Sequence, residues 1–168
     1  LQACLILMVI GCLIGTWIHS GIVPSMIYFG LKLISPSIFL VTACLICCVV
    51  SLATGSSWST AGTVGVALIG IGSAMQIPLG MVGGAVISGS YFGDKMSPLS
   101  DTTNLAPATA GTDLFTHIRH MVYTVTPSLI ISLILYTILG FKYGSGSIDQ
   151  QSVNNMLTTL QGNFTISV

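Results

Sequence analysis

Gly93-Asp94-Lys95-Met96-Ser97-Pro98-Leu99-Ser100-Asp101-Thr102-Thr103-Asn104 is the stretch on which the reading of this chain turns. It carries Asp94, Lys95 and Asp101, out of only four basic and four acidic residues in a chain of 168. Apolar, glycine-rich sequence leads into it, and a 20-residue apolar run, Met121 to Gly140, follows. In water this is an ordinary surface loop. In lipid, ionisable groups are costly and mark binding sites or ion paths, so the solvent has to be decided first.

Composition decides it. Charged residues make up 5% of the chain and hydrophobic residues 52%, with a mean hydropathy of +0.94 and no Glu, against about 25% charged in soluble domains. These residues cannot furnish a charged soluble surface, and the fold class is read as an all-α integral membrane protein with the lipid bilayer as its surroundings. Leu1 already lies inside an apolar run with no basic region before it. The chain therefore reads as a fragment or half of a larger transporter-like protein, without a signal peptide. A net charge of zero gives no case for a nucleic-acid partner. Cys4, Cys12, Cys44, Cys47 and Cys48 sit in apolar runs and read as small apolar residues. Gly70-x-Gly72 lacks the third glycine of a dinucleotide site, and neither a P-loop nor a nucleophile elbow is present. The expectation is no enzyme, no catalytic residue and no cofactor.

The membrane domain is read as residues 1–142. Residues 1–19 form a first span, closed by Trp17 and His19 as interfacial residues. Residues 24–34 are amphipathic and suit an interfacial helix starting at Pro24. Residues 37–75 hold two apolar arms around the uncharged tip Thr54-Gly55-Ser56-Ser57-Trp58-Ser59-Thr60-Ala61-Gly62-Thr63. The second arm, 64–75, is too short to cross alone, so the pair reads as a re-entrant hairpin, its tip facing protein or a wet cavity. Residues 78–110 read as a broken helix, interrupted at Gly93. Its small residues Gly80, Gly84 and Ser88, and Ala85 and Gly89, recur every four positions, as tight helix packing requires. Thr112 or Asp113 caps a last span over 113–141, in whose first turns His117, Arg119 and His120 suit lipid headgroups. Residues 143–168 read as a polar linker with a short amphipathic helix over 148–161.

Carboxylates, hydroxyls, amides and freed carbonyls are the oxygen ligands that small hard cations take. Asp101, among Ser100, Thr102, Thr103 and Asn104, is the leading candidate, with Asp94 and Ser97 supporting it. Thr54, Ser56, Ser57, Ser59 and Thr60 at the hairpin tip are expected to share the same site. A proton and Na⁺ would then compete for one carboxylate, Asp101 first and Asp94 second. Lys95 pairs with a carboxylate when no cation is bound.

The tip 54–63 and the run Phe92-Gly93-Asp94-Lys95-Met96-Ser97-Pro98-Leu99-Ser100-Asp101-Thr102-Thr103 resemble NhaC-type Na⁺/H⁺ antiporters of the ion-transporter superfamily, a family that includes malate-2H⁺/Na⁺-lactate exchangers. The resemblance extends through Thr112-Asp113-Leu114-Phe115-Thr116-His117-Ile118-Arg119-His120. It implies a secondary transporter of the bacterial inner membrane built from two inverted-topology repeats. Each repeat holds a re-entrant hairpin and a broken helix, and this chain supplies most of the first. It also implies exchange of Na⁺ for H⁺ by alternating access, with organic-acid exchange or a non-transporting structural role as the alternatives. The second repeat completes the site, and a homo-oligomer is compatible with the pattern.

Overall fold

The computed structural model describes residues 8–9, 11–12, 15–17, 19–33, 35–144 and 158. Much of the expected first span, 1–19, and nearly all of the linker with its helix at 148–161 lie outside the described residues. The described elements are α1 (Ile22–Leu33), α2 (Pro36–Thr54), α3 (Ser57–Thr60), a π-helical turn (Ala61–Gly65), α4 (Val66–Ala74), α5 (Leu79–Met96), α6 (Asp101–Ala110) and α7 (Leu114–Gly144). No strand occurs among the described residues, and the chain is an all-α membrane protein segment. Among the described residues two helices, α2 and Leu114–Tyr143 within α7, are long and apolar enough to cross a bilayer.

α2 starts where Ser35 is extended and Pro36 takes the first helical position, a place where its missing N–H costs nothing. Its 19 residues extend about 28 Å, close to the thickness of a hydrocarbon core. Phe39, Leu40, Ala43, Cys44, Cys47, Cys48 and Ser51 form its buried face, while Ile38, Leu45 and Val49 on the other faces are exposed. Gly55 ends the helix in the left-handed region (φ 71°), and its N–H closes on the Ser51 carbonyl.

The return arm is longer than its apolar pattern suggests. Only Gly55 and Ser56 are non-helical, and the hydroxyl-rich residues from Ser57 onward belong to α3 and the π-turn. Ser56 caps α3 by accepting from the Ser59 N–H, and Thr60 and Thr63 donate back to the Ser56 and Ser59 carbonyls. Hydroxyls bonded this way satisfy themselves within a helix, which is why a Ser/Thr run need not unwind it. The stretch 24–34 falls within α1 (Ile22–Leu33), which packs on α4 with Gly30 against Ile71.

α5 lies between the two arms. Val82 and Val86 meet Gly72 and Gly65 on the return arm, while Gly89 and Gly93 meet the α2 backbone. A Cβ at Gly93 would stand 2.5 Å from the Cys48 carbonyl oxygen. This glycine is therefore a contact surface within the helix rather than its end, and α5 continues to Met96. The helical break is the four residues Ser97–Ser100, after which α6 begins. The face carrying Gly84 and Ser88 turns to α7, where Ser88 Oγ and Tyr136 Oη lie 2.8 Å apart.

α7 starts after Asp113, whose carboxylate accepts from the Thr116 N–H (3.1 Å). It lays Leu129, Leu133, Tyr136 and Leu139 on the core and leaves Ile130, Ile131, Ile134, Leu135 and Ile138 exposed. A continuous apolar face of that size suits lipid or another membrane segment, not water.

Candidate functional site

The two breaks meet. Gly55 packs directly on Leu99 of the α5–α6 break, leaving no space for a side chain. Ser97 Oγ donates to the Leu52 carbonyl (2.7 Å) and accepts from the Leu99 N–H (3.2 Å), fastening the break to the end of α2. Thr103 Oγ1 donates to the Asp94 and Lys95 carbonyls (3.0 and 3.3 Å), so α6 caps the exposed end of α5. Asn104 Nδ2 donates to the Pro98 and Ser100 carbonyls, both at 2.7 Å. These three side chains hold the backbone of the break and point their polar atoms into it.

Asp94 sits on this junction, in the last turn of α5 and only 6% exposed. Its Oδ1 accepts from Ser100 Oγ (2.7 Å) and its Oδ2 from Ser57 Oγ (3.2 Å). One donor comes from the α5–α6 break and the other from the first residue of α3, within the hairpin tip. Burying a charge costs several kcal/mol, and hydrogen bonds to a charged group return about 1.5–3 kcal/mol each. An ionised carboxylate has about four acceptor positions. Two are filled by hydroxyls, so Asp94 keeps capacity for a cation. It also stands at the negative end of the α5 dipole, which favours positive charge there.

That capacity borders a cavity of about 500 Å³ lined by Ser57, Trp58, Ala61, Ile87, Ser90, Tyr91, Asp94, Lys95 and Thr102. Lys95 Nζ donates to Thr102 Oγ1 (3.0 Å) and lies 5.2 Å from the centre of the Tyr91 ring. Thr102 Oγ1 is in turn 3.0 Å from Ser100 Oγ.

Asp101 lies elsewhere. It is exposed, and its Oδ1 accepts from the Thr102 N–H (2.8 Å) in the first turn of α6, where a carboxylate complements the helix dipole. Of the tip residues, Ser57 alone reaches Asp94. Thr54 and Thr60 pair with each other (3.3 Å), and Ser56 and Ser59 are joined by the α3 cap. The structure thus brings Asp94, Ser57, Ser100 and Thr102 together and gives Ser97, Thr103 and Asn104 to the backbone. Ser90, Trp58 and Tyr91 also belong to the cavity wall. Ser90 falls within an apolar helix, and its one sequence signal is its spacing of four from Asp94.

The Na⁺/H⁺ antiporter family model matches residues 89–168, which include the α5–α6 break and Asp94. The chain is 49% identical over its whole length to the malate-2H⁺/Na⁺-lactate antiporter of Bacillus subtilis, covering 36% of that protein. It is 48% identical over 97% of its length to the Na⁺/H⁺ antiporter NhaC of Alkalihalophilus pseudofirmus, covering 35% of it. The chain is thus similar, over nearly its whole length, to Na⁺/H⁺-coupled antiporters. A third relative, the arginine/ornithine antiporter ArcD of Halobacterium salinarum, is 42% identical over the full chain and is covered to 35%. The chain spans about a third of the length of the curated relatives it matches. No solved structure matches it.

Proposed function

We propose that the protein containing this chain exchanges Na⁺ for H⁺ across the cytoplasmic membrane by alternating access, with Asp94 as the carboxylate that takes either ion. The observation that carries this reading is a buried carboxylate held by hydroxyls from the α5–α6 break and from the start of α3, with acceptor capacity left beside a cavity. Irregular backbone at membrane depth is tolerated only where it faces protein or lines a cavity, and paired breaks of this kind build transporter ion sites. One carboxylate that holds a proton or a cation, never both, couples the two flows without further machinery. In this reading Asp101, exposed at the start of α6, complements the helix dipole and takes no ion. The remaining part of the site comes from the rest of the protein, read as a second, inverted repeat.

Exchange of an organic acid is the second reading. A cavity of about 500 Å³ falls in the ~300–1,000 Å³ range of small-molecule sites, and Lys95 supplies an ammonium for a carboxylate. The malate/lactate relative named above has this kind of activity in its name.

Full-length protein in proteoliposomes, followed with a ΔpH-sensitive dye, separates the two. Addition of Na⁺ or Li⁺ alone should collapse the gradient, and Asp94→Asn should abolish the response. A gradient that responds to malate or lactate but not to Na⁺ alone favours the second reading. One that ignores all additions removes both.

A further inference from the structure

Asp94 is one turn beyond a residue that neither the family match nor the motif explains. Ser90 and Asp94 are four apart on α5 and therefore share a face, about 6 Å apart along the axis. Ser90 is 1% exposed, and its Oγ has no hydrogen-bond partner among the described residues. The Cys47 thiol of α2 lies beside it, outside hydrogen-bonding geometry, and a thiol is a weak partner in any case. The Ser90 carbonyl is occupied separately, accepting from Ser51 Oγ.

A buried hydroxyl without a partner bears the cost of leaving water with no bond in return, and each such group in a native fold calls for an explanation. The neighbouring hydroxyls show how readily this fold satisfies its own serines. Ser51, Ser57, Ser97 and Ser100 all donate to a carbonyl or to Asp94, and Thr60, Thr63, Thr103 and Thr109 donate to backbone carbonyls. Ser90 lines the same cavity as Asp94 and Ser57. Its oxygen is what a desolvated alkali cation beside a carboxylate lacks, since hard cations replace their lost water with several neutral oxygens around one charged one.

We infer that Ser90 Oγ is a ligand of the transported cation, forming with the Asp94 carboxylate and Ser57 Oγ an oxygen set that governs which alkali cation is taken. Asp94 supplies the balancing charge, and the two serines supply neutral oxygens whose positions are fixed by α5 and α3. The inference rests on the Na⁺/H⁺ reading of Asp94 and adds to it the residue that sets cation preference.

The test uses Ser90→Cys in the full-length protein, with Ser90→Thr, Ser90→Ala and Cys47→Ala beside it. Cysteine keeps the size of serine and replaces a hard oxygen with a soft sulfur. Initial rates of ΔpH collapse are measured against Na⁺ and Li⁺ in proteoliposomes. Loss of a ligand should raise the apparent KM for Na⁺ by about tenfold or more in Ser90→Cys and Ser90→Ala, with kcat changed far less. The ratio of the Na⁺ and Li⁺ KM values should shift as well, which loosened packing alone would not cause. Ser90→Thr, which retains the oxygen, should keep the wild-type ratio of Na⁺ and Li⁺ KM values, whatever its added methyl group costs in rate. Wild-type KM values and an unchanged Na⁺/Li⁺ ratio in both Ser90→Cys and Ser90→Ala overturn the inference. So does a Cys47→Ala variant that reproduces their effect, because the thiol would then be the true partner of Ser90. A wild-type protein that shows no Na⁺ response overturns the exchange reading itself and is thereby told apart from failure at Ser90.

Discussion

Replacing Gly93 by alanine puts one carbon atom where three others already stand. A Cβ there lies 2.5 Å from the Cys48 carbonyl oxygen and 2.6 Å from both the Leu52 nitrogen and the Ser51 Cβ. Two of the three are backbone atoms, which cannot rotate away. Ordinary contact begins near 3.4 Å, so α5 and α2 must part by about 0.9 Å (3.4 less 2.5). Overpacking of this kind costs ~1–3 kcal/mol, and backbone clashes place Gly93→Ala at the upper end. Alanine returns about 1 kcal/mol of helix propensity, leaving a net loss of about 2 kcal/mol. Gly83→Ala on the same helix is the control, because a Cβ there meets nothing within 4 Å, and the propensity term alone should stabilise it by up to about 1 kcal/mol. Two identical substitutions ten residues apart in α5 should thus differ by about 3 kcal/mol. Chemical unfolding of the purified protein in detergent, followed by circular dichroism, measures the difference. The displacement should also pull Asp94 from Ser57, now 3.2 Å away, and weaken Na⁺ activation. A Gly93→Ala protein as stable as wild type would refute the close approach of α5 to α2.

The remaining expectations concern the site and its supports. Asp94→Asn should lower Na⁺-driven proton movement by about a hundredfold or more, whereas Asp101→Asn, at an exposed helix start, should cost only ~0.3–1 kcal/mol of stability. Equal losses of transport in the two variants would return Asp101 to the centre of the site. Thr103→Val keeps the shape of a residue that is 2% exposed but removes its bond to the Asp94 carbonyl. It should destabilise the break by about 1–3 kcal/mol, with Thr103→Ser largely restoring it in the same unfolding assay. A double-mutant cycle with Ser88→Ala and Tyr136→Phe should show coupling of about 1 kcal/mol between α5 and α7. Additive effects would mean that the two hydroxyls do not bond.

The membrane, the helical class and an interruption somewhere within Gly93–Asn104 are legible in the sequence because each depends on composition or on local chain chemistry. Pro98 and its flanking serines end α5 by local rules. Which of the two aspartates is buried depends on something else. Reading Gly93 as a helix end leaves Asp94 in a loop and makes Asp101, surrounded by hydroxyls, the natural centre. In the structure Gly93 is where α5 presses on α2, the helix runs on to Met96, and the extra turn carries Asp94 inward. A glycine that ends a helix and one that admits a neighbour look alike in one sequence. The hairpin tip presents the same ambiguity. Thr60 and Thr63 suggest unwound chain by composition, yet they sit in helix with their hydroxyls returned to backbone carbonyls. Ser57, in the same run, turns instead to a carboxylate 37 residues later, a contact that only the tertiary fold decides.

The bonds between Lys95 and Asp94 have a direction. An ammonium can only donate and an ionised carboxylate can only accept. Ser100 spends its single hydroxyl proton on Asp94, so Thr102, which receives from Lys95, must give its own proton to Ser100. The two charges, neighbours in sequence, are thereby joined through a one-way string of hydroxyl dipoles. Each dipole points its positive end at the carboxylate. While Asp94 is ionised it alone fixes this direction, so removing the charge at Lys95 would leave the string pointing the same way and take from it only the donor at its far end.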